Sequence, residues 1–274
     1  MDKNNNDKKA IHPMRDIGAN LTSSQFAKDL DAVLARARDA GVNTIDVTGT
    51  SLANSRQAIV LAEAHPGRLF ATAGCHPHQA KDWDARSAGE LERLLKHPCV
   101  RMSGEMGLDF DRNFSTPAQQ VHAFEAQLEV AAGFADKPLF LHCRSAHRAF
   151  LEVMDRRPAA LTRIIVHCFT DGPDEAAAYL ERGFHIGITG WVADEKRAQA
   201  LRLALKRIPL ERLLIETDAP YLLPLNKPGA QRRDRNEPAY LKHVAEALAP
   251  FYGIGAQALG EATERNAEAL IGRG

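Results

Sequence analysis

Cysteine is scarce. The 274 residues contain four, Cys75, Cys99, Cys143 and Cys168, widely spaced and with no CxxC pair, which excludes a disulfide scaffold. Long apolar runs are missing too: no stretch of about 18 uninterrupted apolar residues exists to span a bilayer. The N-terminal MDKNNNDKKAIHP has no apolar core for a signal peptide. Neither sign of charge is in excess, since 35 Lys+Arg face 35 Asp+Glu. That balance argues against a protein that coats polyanions by charge alone, while leaving room for a local basic patch. The expected product is a globular cytoplasmic protein with no membrane partner. A polar tail over residues 1–12, expected to be disordered, precedes a single domain over 13–274.

Eight short β-rich runs are present instead, at Met14–Asn20, Asn43–Thr48, Leu69–Gly74, Val100–Gly104, Pro138–His142, Arg163–His167, Phe184–Thr189 and Leu213–Thr217. Their centres lie mostly about 22 to 37 residues apart, room for a strand, a helix and two loops. Amphipathic patterns at Gln25–Ala40, Ala118–Ala132, Asp174–Arg182 and Glu195–Lys206 each close on Gly or Pro. In the first, Phe26, Leu30, Val33, Leu34 and Ala37 share a face and Gly41 follows the end. This alternation predicts a (β/α)8 TIM barrel, with an open doubly wound sheet as the alternative. No GxGxxG follows the first strand to favour the open sheet.

In such a barrel, functional groups gather at the C-terminal strand ends. Here the third run ends in Gly-Cys-His76-Pro-His78, the fourth in Gly-Glu105-Met-Gly-Leu-Asp109, and the fifth in His142-Cys143-Arg144. The sixth ends in His167-Cys168 and the eighth in Glu-Thr-Asp218-Ala-Pro. Any one of these is compatible with a turn or a hydrogen-bonded core residue. Five at one level imply a single site. Because successive strand residues face opposite sides, Cys143 and Cys168 are expected to point away from it. The remaining His, His, Glu, Asp set suits Mg²⁺, Mn²⁺ or Zn²⁺ and hydrolysis.

The stretches DIGANLTSSQFAKD, AGCHPHQ, GEMGLDFDRNFST, LHCRSAH, HCFTDG, GFHIGITGWV and LLIETDAPYLLP, then RRDRNEP, run in order from Asp16 to Pro238. Together they resemble the TatD family of metal-dependent deoxyribonucleases, within the amidohydrolase-like barrels, and their wording is nearest its namesake branch. The resemblance implies Glu105, His142 and His167 as metal ligands, with Asp218 as a further ligand that orients or deprotonates the attacking water. It places His76 on the scissile phosphate, on the leaving oxygen or in a positioning role, and His78 beside it. Asp109 and Arg144 would hold the ligands in orientation. The implied activity is removal of nucleotides from the 3′ end of single-stranded DNA, with RNA as a second substrate, by a monomer using Mg²⁺ in DNA repair or nucleic-acid degradation.

One departure stands out. Most of the family carries DxHxH on the first strand, whereas Gly18 and Asn20 occupy the two histidine positions here. The namesake branch shares the change, which weakens a binuclear centre without removing activity. Behind Asp218, LNKPGAQRRDRNEP offers Arg232, Arg233 and Arg235 as a phosphate track, or a solvated loop capping the last helix. Phe110, Phe114, Trp191 and Tyr221 either stack on bases or pack under loops. Two rival functions remain: a small-molecule amidohydrolase on the same barrel, and a non-catalytic nucleic-acid or protein binder. The first is disfavoured because Glu105 stands where such enzymes carry a bridging lysine.

Overall fold

Apolar, β-rich runs lie on both faces of the strands, so each strand must be covered inside and out. The computed structural model describes residues 13–273; the tail expected over 1–12 lies outside them. Strands β1 (Met14–Ala19), β2 (Val42–Val47), β3 (Leu69–Ala73), β4 (Val100–Asp109), β5 (Leu139–Arg144), β6 (Ile164–Val166), β7 (His185–Ile188) and β8 (Leu213–Ile215) pair in parallel in chain order. The crossovers carry α1 (Leu30–Asp39), α2 (Leu52–Ala64), α3 (Ser87–Leu95), α4 (Pro117–Ala132), α5 (His147–Asp155), α6 (Pro173–Glu181) and α7 (Gln199–Ala204). After β8 come α8 (Leu241–Leu248) and α9 (Ala256–Ile271). The TIM barrel predicted from the alternation is the fold observed.

The chain beyond β8 closes the ring. Asp218 N–H donates to the Gly18 carbonyl at 2.9 Å and Asn20 N–H to the Ala219 carbonyl at 2.7 Å. Inside, Ile17, Met102, Phe140, Ile165 and Leu214 form a plug continued by Ala267, Leu270 and Ile271 of α9. A larger apolar layer lies between the strands and the surrounding helices. At the N-terminal end, the buried Arg15 grips Asp46 through two bonds of 2.6 and 2.7 Å and donates to the Gly272 carbonyl at 2.6 Å. No helix among the described residues is long and apolar enough to cross a membrane.

Three boundaries differ from the expectation. The segment before α1 forms tight turns, Phe26 N–H bonding Ser23 O and Asp29 N–H bonding Phe26 O, so the helix starts at Leu30. Asp194 accepts the backbone N–H groups of Arg197 and Ala198, which delays α7 to Gln199. Strand β4 continues to Asp109, paired with Arg144 of β5, through glycines that look like a turn in sequence. Gly104 and Gly107 both have left-handed φ, and a Cβ on either would strike a β5 backbone carbonyl. Glycine lets the strand pass there.

Candidate active site

Strand periodicity places the site. On β5, Phe140 in the plug puts His142 on the same inner face; on the β6 line Ile165 does so for His167, and on the β8 line Leu214 does so for Glu216. A register shift between Gly104 and Met106 delivers Glu105 to the same level. Its Oε1 lies 2.8 Å from His167 Nε2, 3.2 Å from His142 Nδ1 and 3.2 Å from His76 Nε2. His76 follows β3, where Pro77 opens a short 3-10 turn. The structure thus brings three of the expected site residues, all histidines, onto one carboxylate oxygen of a fourth, Glu105.

Two imidazoles are backed by a second carboxylate. His142 Nε2 faces Asp109 Oδ2 at 3.4 Å, and His167 Nδ1 faces Glu216 Oε2 at 3.4 Å. A proton kept on each outer nitrogen would leave the inner nitrogen a lone pair for a cation that displaces its other proton. His76 is wired the other way. Its Nδ1 accepts the His78 backbone N–H at 3.1 Å, so the neutral ring carries its proton on Nε2, pointing at Glu105. Proximity alone groups His76, Glu105 and His142 as a cation site, their donor atoms all within 4.8 Å of one another. The tautomers favour Glu105, His142 and His167 as the lone-pair donors and make His76 a hydrogen-bond donor. Carboxylate and imidazole without thiolate fit a divalent cation.

Electrostatics follow from burial. Desolvation pushes the Glu105 carboxyl up, but the surrounding imidazoles outweigh it and hold its pKa well below the usual range. Burial pulls His76 down to about 4, only partly opposed by Glu105, so the ring is neutral near pH 7. For His167, burial is outweighed by Glu105 and Glu216 and the pKa is raised. Asp218 is pushed up to about 7 by burial, moderated by His167. His78 Nε2 lies 2.9 Å from Asp109 Oδ2. Arg144 pairs with Asp111 at 3.0 Å rather than with a ligand.

Gly18 and Asn20 acquire a physical reading here. A Cβ on Gly18 would stand 2.5 Å from Glu216 Oε2, and one on Gly187 2.9 Å from Oε1. The Glu216 carboxylate therefore fills the space above two glycines, and it also accepts the Cys168 N–H at 2.6 Å. The amide of Asn20 donates to Asp218 Oδ1 at 2.8 Å. Glu216 was not among the residues singled out by sequence, although its inward parity with Leu214 was available to mark it.

Two expectations need correction. Cys143 does lie in the outer layer, bonded to Tyr179. Cys168 instead lies beyond the end of β6 at Val166, with φ of 49°, so strand alternation does not set its direction, and the charges of the Asp218, Glu216 and Glu105 carboxylates act on it. Burial and those carboxylates keep its thiol protonated. The arginine track is also thinner than expected. Arg235 is committed to Asp29 and Glu237, each at 2.7 Å, and Arg232 to Asp194 at 2.8 Å. Arg233 is exposed and makes no ion pair among the described residues.

A closed parallel barrel with histidines and carboxylates converging at its C-terminal strand ends defines a metal-dependent hydrolase. Sequence comparison is narrower. The profile of the TatD related DNases matches residues 15–272, and the chain belongs to that family. It is 51% identical over 258 residues, 94% of this chain and 99% of the relative, to the "3′-5′ ssDNA/RNA exonuclease TatD" of Edwardsiella piscicida. A protein of the same name from Citrobacter rodentium is 51% identical over 259 residues, 94% of this chain and 98% of its own. Among solved structures, the TatD homologue YJJV of Escherichia coli K12 superposes with a TM-score of 0.84 at 28% identity, covering 94% of this chain and 97% of that one.

Proposed function

We infer that the protein is a metal-dependent 3′–5′ exonuclease of single-stranded DNA and RNA. The observation that carries the reading is the convergence of His76, His142 and His167 on Glu105 Oε1 at the barrel mouth. Polarity and strandedness rest on the relatives' names and on coverage of nearly both whole chains. Glu105, His142 and His167 would hold the cation, which supplies Lewis-acid polarisation of a phosphoryl oxygen and of water. Asp218, half-buried and with its pKa pushed up to about 7, is suited to accept the proton of the attacking water. Asn20 fixes one of its oxygens. His76, neutral and with its one proton on Nε2, would pass that hydrogen bond from Glu105 to a phosphate oxygen when the cation takes Glu105, rather than protonating the leaving group. In the loop after β8, Arg233 and Lys227 make no ion pair among the described residues, and Lys227 lies over the Tyr240 ring. Arg232 reaches substrate only by leaving Asp194.

Family resemblance favours Mg²⁺ as the working ion. The imidazole-rich donor set adds that Mn²⁺ and Zn²⁺ bind more tightly than Mg²⁺. The test is single-stranded DNA labelled at either end, with each ion, with chelator, and with Glu105→Gln. The expected result is a ladder of shortened 5′-labelled products that requires metal and vanishes in the variant. A folded protein that cuts no single strand with any of these ions overturns the reading.

A further inference from the structure

Four large hydrophobic side chains are prominently exposed among the described residues: Val60, Leu203, Phe114 and Tyr221. Val60 lies on α2 and Leu203 on α7, scattered singly on outer helices, which is ordinary. Phe114 and Tyr221 are different. Both are aromatic, and both lie on loops leaving the C-terminal ends of strands, β4 and β8, on opposite sides of the mouth.

Only Phe114 is joined to the site by a line of rings. Its ring meets His78 edge-on at 4.8 Å; His78 meets His76 at 4.3 Å, and His76 meets His142 at 4.6 Å. The inner two of these rings touch Glu105. The outermost is 58% exposed.

Loose backbone does not explain that exposure. Asp109 Oδ1 accepts the N–H groups of Asp111 and Arg112, both at 3.0 Å. Asn113, with left-handed φ, bonds the Phe110 carbonyl. On the other side, Ser115 donates to His78 O and accepts from Lys81 N, while Gln120 holds the Ser115 carbonyl. Phe114 is a clamped residue presenting an apolar ring to water. A preorganised ring loses little conformational freedom when something stacks on it.

We propose that Phe114 is a base-stacking subsite, taking the nucleobase of one of the two nucleotides joined by the scissile phosphate. This deepens the exonuclease reading and rests on it. Stacking on a π-face tolerates any base, so the subsite would grip a strand end without selecting sequence. The line Phe114–His78–His76 would then span the nucleotide, from base at the rim to phosphate at the Nε2 proton of His76.

The test is a cycle of protein and substrate deletions on the metal-loaded enzyme. Wild type, Phe114→Ala and Phe114→Tyr meet three oligonucleotides: intact, abasic at the 3′-terminal position, and abasic at the penultimate position. In wild type, removing the base at one position should cost between about 5-fold and about 100-fold in kcat/KM. Phe114→Ala should lose the same factor on intact DNA and nothing further on the abasic strand, and Phe114→Tyr should restore it. Losses that simply multiply, or no base dependence at either position, overturn the proposal. Fluorescence anisotropy gives the same cycle in Kd without cleavage, in the presence of Mn²⁺. If wild type fails to cut but the Kd cycle shows coupling, the exonuclease reading falls and the stacking subsite stands. If Kd shows no coupling, the subsite falls whatever the activity.

Discussion

Each histidine of the site is defined by what lies behind it. His142 and His167 are backed by carboxylates, whereas His76 is backed by a peptide N–H. The consequence is a split in mutant behaviour. His142→Ala should weaken metal binding by at least about 10-fold, the scale seen when a shell of a metal site is removed. His76→Gln should leave metal affinity within about 3-fold and lower kcat by about 10-fold or more. Isothermal titration with Mn²⁺, set beside kcat on one oligonucleotide, separates the two; equal losses in affinity would place His76 among the ligands. Gly18 makes a second claim at this scale. Gly18→Ala should destabilise by about 1 to 3 kcal/mol through overpacking, because its Cβ meets both Glu216 and Phe140. In a Glu216→Ala background part of that cost should disappear, a coupling that urea denaturation of the four proteins reads directly.

At the scale of elements, the strands were legible because β-rich runs recur at the spacing of a strand, a helix and two loops, although β4 is longer and β6 and β8 shorter than those runs. Their C-terminal chemistry was legible because His, Glu and Asp recur there. What could not be read locally depends on partners distant in sequence. Strand β4 runs through Gly104 and Gly107 because β5 lies alongside. Cys168 falls outside the strand alternation because β6 is short and a left-handed residue follows it. Arg235 is spent on Asp29, 206 residues away, a pairing that spacing cannot reveal. One strand carries a pH prediction. His185 opens β7 with Nδ1 buried and unpartnered, and burial, then Arg212, pull its pKa down to about 4. The unfolded chain takes a proton near 6.5 that the folded one refuses. Its contribution to stability is therefore whole above about pH 6.5 and is lost as pH falls toward 4. Urea midpoints at pH 7.5 and pH 5 should fall further for wild type than for His185→Gln; parallel falls would refute this.

For the molecule as a whole, 35 positive against 35 negative side chains limits how substrate is held. With Arg232 and Arg235 paired internally, few phosphates can be neutralised by side chains. Binding of single-stranded DNA should show a slope of log K against log salt near −2, the value for about three phosphates. A slope of −5 or steeper would reveal a basic surface that the fold does not display. Chelation should abolish turnover and lower the melting temperature of the protein, since a ligand of the native state alone stabilises it. The seam of the barrel has a consequence in time. Asn20 reaches Asp218 across 198 residues, and Thr217 reaches Asp16 across 201, contacts among the most distant in sequence that this fold makes. On the proposed roles, a chain still emerging from the ribosome carries Glu105, His142 and His167 long before Glu216 exists to back His167 and Asp218 to accept a proton. Ring closure and the onset of activity are then one event, and a nuclease made beside its own messenger stays inert until its last strand is in place.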